Sequence, residues 1–100
     1  MVLSYSAAAE RDLAEIGAYT QRTWGEGQSA RYLDALQDCC EQLVRNPMLG
    51  RACDEIRPGL RRIQEGKHVI FYRLRDRGIF VSRILHENMQ PESRLIQDEP

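Results

Sequence analysis

The amino-acid sequence predicts an α+β domain with two layers, one made of two helices and the other of a β-sheet. Three observations predict this class. Short runs of β-favouring residues stand near the start of the chain and again after residue 59. Two long segments between them repeat apolar residues at spacings of three and four. The later strands are joined by very short turns, which force neighbouring strands to run antiparallel. The predicted order is β-α-α-β-β-β, a strand, an antiparallel two-helix hairpin and a three-stranded antiparallel meander.

The first predicted elements are a short strand over residues 2–5 and a helix over about residues 7–23. Ser6 is a suitable N-cap for this helix, because its hydroxyl can accept from a free backbone N–H in the first turn. Gly25 is expected to end the helix as a left-handed cap residue. A turn containing Gly25 and Gly27 then leads to a second helix over about residues 28–45, which Asn46-Pro47 ends.

Three strands are predicted next, at Leu60–Glu65, Lys67–Leu74 and Ile79–His86, with turns at Gly66 and at Asp76-Arg77-Gly78. Alternation along the middle strand separates two sets of side chains, His68, Ile70, Tyr72 and Leu74 from Val69, Phe71 and Arg73. In the last strand it separates Ile79, Val81 and Leu85 from Phe80 and Ile84. Both faces are therefore apolar, yet only one helical layer is available. We expect the second face to be covered by the chain's own tail or by a partner.

Length and composition predict one folded domain over residues 1–90 and an acidic C-terminal tail over residues 91–100. The chain has 100 residues, of which 42% are hydrophobic and 29% charged, as in ordinary folded proteins. No leader peptide opens it and no apolar run approaches the roughly 20 residues of a membrane span, so a soluble, cytoplasmic protein is expected. The three cysteines, Cys39, Cys40 and Cys53, lack disulfide or zinc spacing and are expected to be reduced and buried. No metal or cofactor is expected.

Charge is distributed unevenly along a chain whose net charge is −1. Residues 51–83 carry nine basic and four acidic side chains, a net charge of +5, whereas the segments before and after them each carry −3. Of the 14 basic residues, 13 are arginine. The planar guanidinium suits bidentate contact with carboxylate or phosphate groups. The middle of the chain is therefore expected to present a basic surface.

The ordered set of motifs over about residues 3–89 resembles the ParE toxins of type II toxin–antitoxin systems, within the RelE/ParE superfamily. The resemblance is carried by Ala8–Ile16, Tyr19, Trp24-Gly25, Tyr32, Leu36, Asn46-Pro47, Leu49-Gly50-Arg51, Asp54–Arg61, Gly66-Lys67-His68, Ile70–Arg73, Arg83–His86 and Met89. It implies a toxin that poisons DNA gyrase by protein–protein contact, is not an enzyme, and is held inactive by a ParD-like antitoxin. It also implies a hetero-oligomer in which the antitoxin packs on the helices and runs along the sheet. The residues themselves show no helix-turn-helix pattern and no membrane span, so neither sequence-specific nucleic-acid binding nor a membrane partner is expected. The predicted antitoxin contacts are Leu13, Trp24, Tyr32 and Leu36 on the helices, and Arg61, Arg73 and Arg83 on the sheet.

Two alternatives remain open from the sequence. The first is a RelE-type ribonuclease that cuts mRNA on the ribosome, because that branch has the same fold. Its candidate catalytic set here is His86, Glu65, Arg62, Arg73 and Arg83, which could supply a general base, a general acid and phosphate-stabilising cations. The only lysine is Lys67, and Glu87 rather than tyrosine follows His86, which departs from the ribonuclease pattern. The second alternative is a non-toxic remnant that keeps only antitoxin binding.

Overall fold

The computed structural model describes residues 2–91 and confirms the α+β class. Its elements are β1 (Leu3–Tyr5), α1 (Ala7–Trp24), α2 (Glu26–Arg45), β2 (Arg51–Ala52), β3 (Arg61–Glu65), β4 (His68–Arg75) and β5 (Gly78–His86). All strands belong to one sheet in the order β1-β5-β4-β3-β2. The predicted meander is confirmed as the antiparallel unit β3-β4-β5. Apart from Pro91, the predicted acidic tail lies outside the described residues.

The two strands at the sheet edges have features that were not predicted. β1 runs parallel to β5, with Leu3 opposite Ile79, because the helix hairpin carries the chain back across the sheet. β2 is only two residues long and pairs antiparallel with the first residues of β3. Arg51 thereby comes to lie opposite Arg62. Two short edge strands therefore flank the meander.

The helix hairpin differs from the prediction at its turn. Ser6 caps α1 as predicted, with the Ala9 N–H donating to Ser6 Oγ at 2.9 Å. Gly25 alone joins the helices, and α2 begins at Glu26, two residues earlier than predicted. The predicted left-handed cap is wrong in detail, since Gly25 has φ 94° and ψ 169°. That extended region at positive φ is open essentially only to glycine, and it reverses the chain within one residue.

The main core lies between the helices and the inner face of the sheet. It is built from Ala9, Ile16, Leu36, Cys39, Cys40, Leu43, Ile70, Tyr72, Ile79, Val81 and Ile84. A β-bulge changes the alternation of β5, because Tyr72 pairs with Val81 whereas Phe71 pairs with Arg83, leaving Ser82 as an extra residue. Ile84 consequently faces the helices and Leu85 the other side, the reverse of the predicted assignment.

The outer face of the sheet has its own small core. Phe71 and Leu85, each 2% exposed, pack with Cys53 and Leu60 from the segment between β2 and β3, and with Ile56 beside them. The expectation of a tail or a partner did not include this cover for Phe71 and Leu85 on the outer face. An internal loop covers it, held closed by the Gly59 N–H, which donates to Asp54 Oδ1 at 2.8 Å.

Candidate functional site

A surface groove opens between α1 and the end of the sheet where β4 begins and β5 ends. We call it the aromatic groove and define it by Tyr19, Trp24, Tyr32, His68, His86 and Met89. It consists of two adjoining hollows of about 490 and 290 Å³, which share Tyr19, His68 and His86. Trp24 is 70% exposed, Tyr19 61% and Met89 43%. Contiguous large apolar side chains in this state of exposure mark an interaction surface.

Hydrogen bonds that join α2, the β3–β4 turn and β4 fix the floor of the aromatic groove. The Tyr32 hydroxyl, on α2, accepts from the Lys67 N–H at 3.1 Å and lies 2.5 Å from His68 Nδ1. The hydroxyl has its own proton to donate to His68 Nδ1 when that nitrogen carries none. The turn residue Gly66 permits this contact, because its φ is 60° and a Cβ there would lie 2.8 Å from the Tyr32 ring.

Two histidine rings meet at the centre of the aromatic groove. His68 and His86 lie opposite each other on β4 and β5, with ring centroids 5.5 Å apart in an edge-to-face arrangement. His86 Nδ1 accepts from the Asn88 N–H at 3.2 Å, so this ring also holds the turn after β5. Burial lowers the pKa of His68 below its ordinary value, and the neighbouring His86 lowers it further. The lowered pKa favours the neutral imidazole of His68.

A buried ion pair forms the wall of the aromatic groove next to α1. Arg83 donates to Asp12 through Nε and Nη2, each at 2.8 Å, and the Ile84 N–H donates to the same carboxylate at 2.9 Å. The side chains are only 13% and 9% exposed. Arg83 was predicted to contact an antitoxin, but here it binds its own chain. The pair fastens α1 to β5, and nothing in the sequence pattern linked these two positions.

The other predicted antitoxin contacts lie in different places. Trp24 and Tyr32 line the aromatic groove, whereas Leu13 is half-buried against the main core. Leu36 is fully buried in that core and presents no surface, because α2 turns it toward the sheet. Arg61 donates through Nη2 to the Gly50 carbonyl at 2.5 Å. Arg73 is half-buried and lies opposite Phe80, on the outer side of the sheet.

The candidate ribonuclease residues do not form one site. His86 on β5 and Glu65 on β3 both lie opposite His68, at the end of the sheet next to the aromatic groove. Arg83 is bound to Asp12, while Arg62 and Arg73 belong to the outer face with Phe71 and Phe80. An acid, a base and phosphate-stabilising cations must surround one phosphate, and here the sheet separates Arg62 and Arg73 from His86 and Glu65.

Three groove residues, Tyr19, His68 and Met89, carry the family resemblance but were not among the predicted antitoxin contacts. They come from α1, β4 and the segment after β5, so only the folded chain brings them together. Across residues 2–91, no group of three His, Cys, Asp or Glu residues is arranged to hold a metal ion.

The three cysteines are free and buried, as predicted, and burial raises the pKa of the Cys40 thiol to about 11. None of the helices over residues 2–91 has the length and apolar character needed to cross a membrane.

Comparison with known proteins agrees with the motifs noted in the sequence. The family model described as "ParE toxin of type II toxin-antitoxin system, parDE" matches residues 3–91. Toxin ParE1 of Mycobacterium tuberculosis (strain ATCC 25618 / H37Rv) is 44% identical over 91 residues, covering 90% of this chain and 93% of that protein. Toxin ParE1 of Caulobacter vibrioides is 36% identical over 90 residues, with the same coverage of 90% and 93%. A solved structure described as "Chromosomal ParDE TA system from P. aeruginosa" shares the fold, with a TM-score of 0.74 at 18% identity over 86% of this chain and 95% of that one.

Proposed function

The chain belongs to the ParE family of toxins of type II toxin–antitoxin systems, and on that premise we propose that it inhibits DNA gyrase by protein–protein contact and is neutralised by a ParD-like antitoxin. The proposal includes action in the bacterial cytoplasm, where gyrase works, without enzymatic chemistry. The observation that supports partner binding best is the aromatic groove. Its exposed Trp24 and Tyr19 stand on a domain whose buried apolar side chains already pack in two cores within its own chain.

We propose that the antitoxin occupies the aromatic groove with an apolar segment. Trp24 and Tyr32 remain the proposed contacts there, with Leu13 at the edge, and Arg61 and Arg73 remain proposed contacts for a segment that runs over the sheet. Leu36 and Arg83 are withdrawn from this set, because one is buried and the other is bound to Asp12. Aromatic side chains at the centre of an interface are the residues that most often dominate its binding energy.

Trp24 is the only tryptophan of the chain and therefore reports directly on this groove. We expect its fluorescence emission to shift to shorter wavelength when the cognate antitoxin is added, because the exposed indole becomes buried. Trp24→Ala should weaken antitoxin binding about 30-fold or more, measured by calorimetry, which corresponds to roughly 2 kcal/mol. Met48→Ala is the matched control, since Met48 is apolar, 61% exposed and outside the groove. Equal affinities of the two variants would contradict the placement of the antitoxin.

Supercoiling by purified gyrase tests the target. The toxin should inhibit supercoiling and trap cleaved DNA, and the antitoxin should reverse both effects. Absence of inhibition and of trapped DNA would refute the gyrase proposal. Arg62 lies on the outer face of the sheet, away from His86, and Arg83 is bound to Asp12, which does not favour the ribonuclease alternative. Cleavage of mRNA on ribosomes that is lost in His86→Ala would overturn that judgement. Unaffected growth on expression without antitoxin would indicate a non-toxic remnant.

A further inference from the structure

A second hollow of about 560 Å³ lies on the other side of the turn after β5, at the β2 edge of the sheet. We call it the basic cleft and define it by Arg51, Arg62, Leu49, Gln64 and Val69, which line it together with Gly50, Ile63, Glu87 and Asn88. Arg51 and Arg62 are directly opposite each other on β2 and β3. Side chains in such cross-strand pairs have Cβ atoms only about 5 Å apart, and like charges there destabilise the sheet.

Neither arginine is neutralised within residues 2–91. No described carboxylate lies within 4.0 Å of either guanidinium, and no hydrogen bond to either group is formed by the described part of the chain. Glu87 is the one acid in the lining, but its Oε1 accepts from Gln64 at 2.9 Å and its Oε2 faces Lys67 Nζ at 3.8 Å. The cleft thus keeps two adjacent positive charges, and one of them, Arg62, is half-buried.

We propose that the basic cleft binds a terminal phosphate group, either inorganic phosphate or the monoester phosphate of a nucleotide. Two guanidinium groups side by side carry a charge of +2, which a single carboxylate would leave half-compensated. A phosphate monoester carries about −1.5 to −2 at pH 7 and offers three acceptor oxygens. Each planar guanidinium can donate two parallel N–H bonds to such a group.

The remaining walls fit the organic part of a nucleotide. Leu49 is 46% exposed and Val69 half-buried, so both offer apolar contact beside the arginines. Asn88 adds an amide that can donate or accept. A volume of about 560 Å³ lies within the range of small-ligand pockets. Arg61 is not part of this lining, and its guanidinium donates to the Gly50 carbonyl.

This site is independent of the proposed gyrase activity, so it is tested on the free toxin. Amide and arginine Nε–H signals of the ¹⁵N-labelled protein are followed by NMR during titration with inorganic phosphate, AMP, cyclic AMP, adenosine and a short glutamate peptide, at constant ionic strength. We expect saturable shifts at the basic cleft with phosphate and with AMP. AMP should bind at least several-fold more tightly than cyclic AMP, whose diester carries one charge. AMP tighter than phosphate would show that the nucleoside is also bound, and equal affinities would show recognition of phosphate alone.

Two variants keep the test decisive. Arg62→Gln and Arg51→Gln should each weaken phosphate binding about tenfold or more, because each removes a charge-assisted contact. Arg11→Gln removes the same charge from an exposed position on α1 and should change nothing. The proposal is overturned if sodium chloride gives the same shifts, if the glutamate peptide binds more tightly than phosphate, or if all three variants behave alike.

Discussion

Asp12→Asn tests the ion pair that fastens α1 to β5. The substitution keeps the size of the side chain but removes its charge and turns one acceptor oxygen into a donor facing Arg83. In the unsubstituted protein the Asp12 carboxylate accepts three hydrogen bonds at 2.8–2.9 Å, from Arg83 Nε, Arg83 Nη2 and the Ile84 N–H. Both side chains are nearly buried, at 9% and 13% exposed, so solvent screens the pair little. Removing one partner of such a pair leaves an uncompensated buried charge, and typically costs about 3–5 kcal/mol.

We therefore expect Asp12→Asn to lower the free energy of unfolding by about 3 kcal/mol or more, measured by urea denaturation followed by circular dichroism. For a domain of this size that loss lowers Tm by roughly 12 °C or more. Glu15→Gln is the matched control, because Glu15 lies one turn away on α1, is exposed and loses the same charge. Arg83→Met combined with Asp12→Asn should recover part of the loss, since no charge then remains buried. A loss below about 1 kcal/mol, or no recovery in the double variant, would refute this reasoning.

Two further predictions concern the turns and the histidine pair. The pKa of His68 is lowered in the folded state, so the unfolded chain binds the proton more tightly. The contribution of His68 to the free energy of unfolding should therefore be complete above about pH 6.5 and fall as the pH drops below that value. His68→Gln should weaken this pH dependence, measured by urea titrations between about pH 7.5 and 5.5. Gly50→Ala should lower the free energy of unfolding by about 2–4 kcal/mol, because a Cβ would lie 2.6 Å from both the Arg62 carbonyl oxygen and the Tyr72 hydroxyl. That hydroxyl accepts from the Gly50 N–H at 3.0 Å, so the clash also disturbs this hydrogen bond. Gly27→Ala, whose Cβ meets only Arg31 Nη1 at 3.6 Å, should leave the same measurement unchanged or raise it by up to about 1 kcal/mol.

The parts of the fold that sequence patterns predicted are those governed by local rules. Ser6 and Asn46 set helix ends through capping and through the restriction before proline, and both hold in the structure. The turns at Gly66 and at Asp76-Arg77 impose the meander, since all three residues adopt positive φ as tight hairpins require. The edge pairing of β1 with β5 escaped prediction because it joins strands more than 70 residues apart. Long-range pairing leaves no signature within either strand.

The candidate site was predicted only in part, for the same reason. Trp24 and Tyr32 could be proposed from the resemblance, and the structure places both in the aromatic groove. Arg83 was expected to be available to a partner, because a sequence of many arginines does not reveal which of them meets an internal carboxylate. Asp12 supplies that carboxylate from another element. Charge composition therefore predicted a basic surface but not which of its charges are available to a partner. Arg51 and Arg62 are two arginines whose charge is not compensated by a carboxylate within the described residues.

One extra residue in β5 decides on which face the centre of the aromatic groove lies. From Ile79 and Val81, which face the helices, strict alternation would send Leu85 inward and His86 to the outer face. The bulge at Ser82 shifts the pattern by one position, so that Ile84 enters the main core, Leu85 packs in the outer core, and His86 stands beside His68. The apolar pattern of β5 suits both registers almost equally, because it offers an apolar residue at 84 and at 85 alike. Contacts from outside the strand therefore decide between the two registers. The Ser6 hydroxyl donates to the Ser82 carbonyl at 2.6 Å, and the Asp12 carboxylate accepts from Arg83 and from the Ile84 N–H. The cap and the first turns of α1 therefore hold the bulge, and through it they set the position of His86 in the groove.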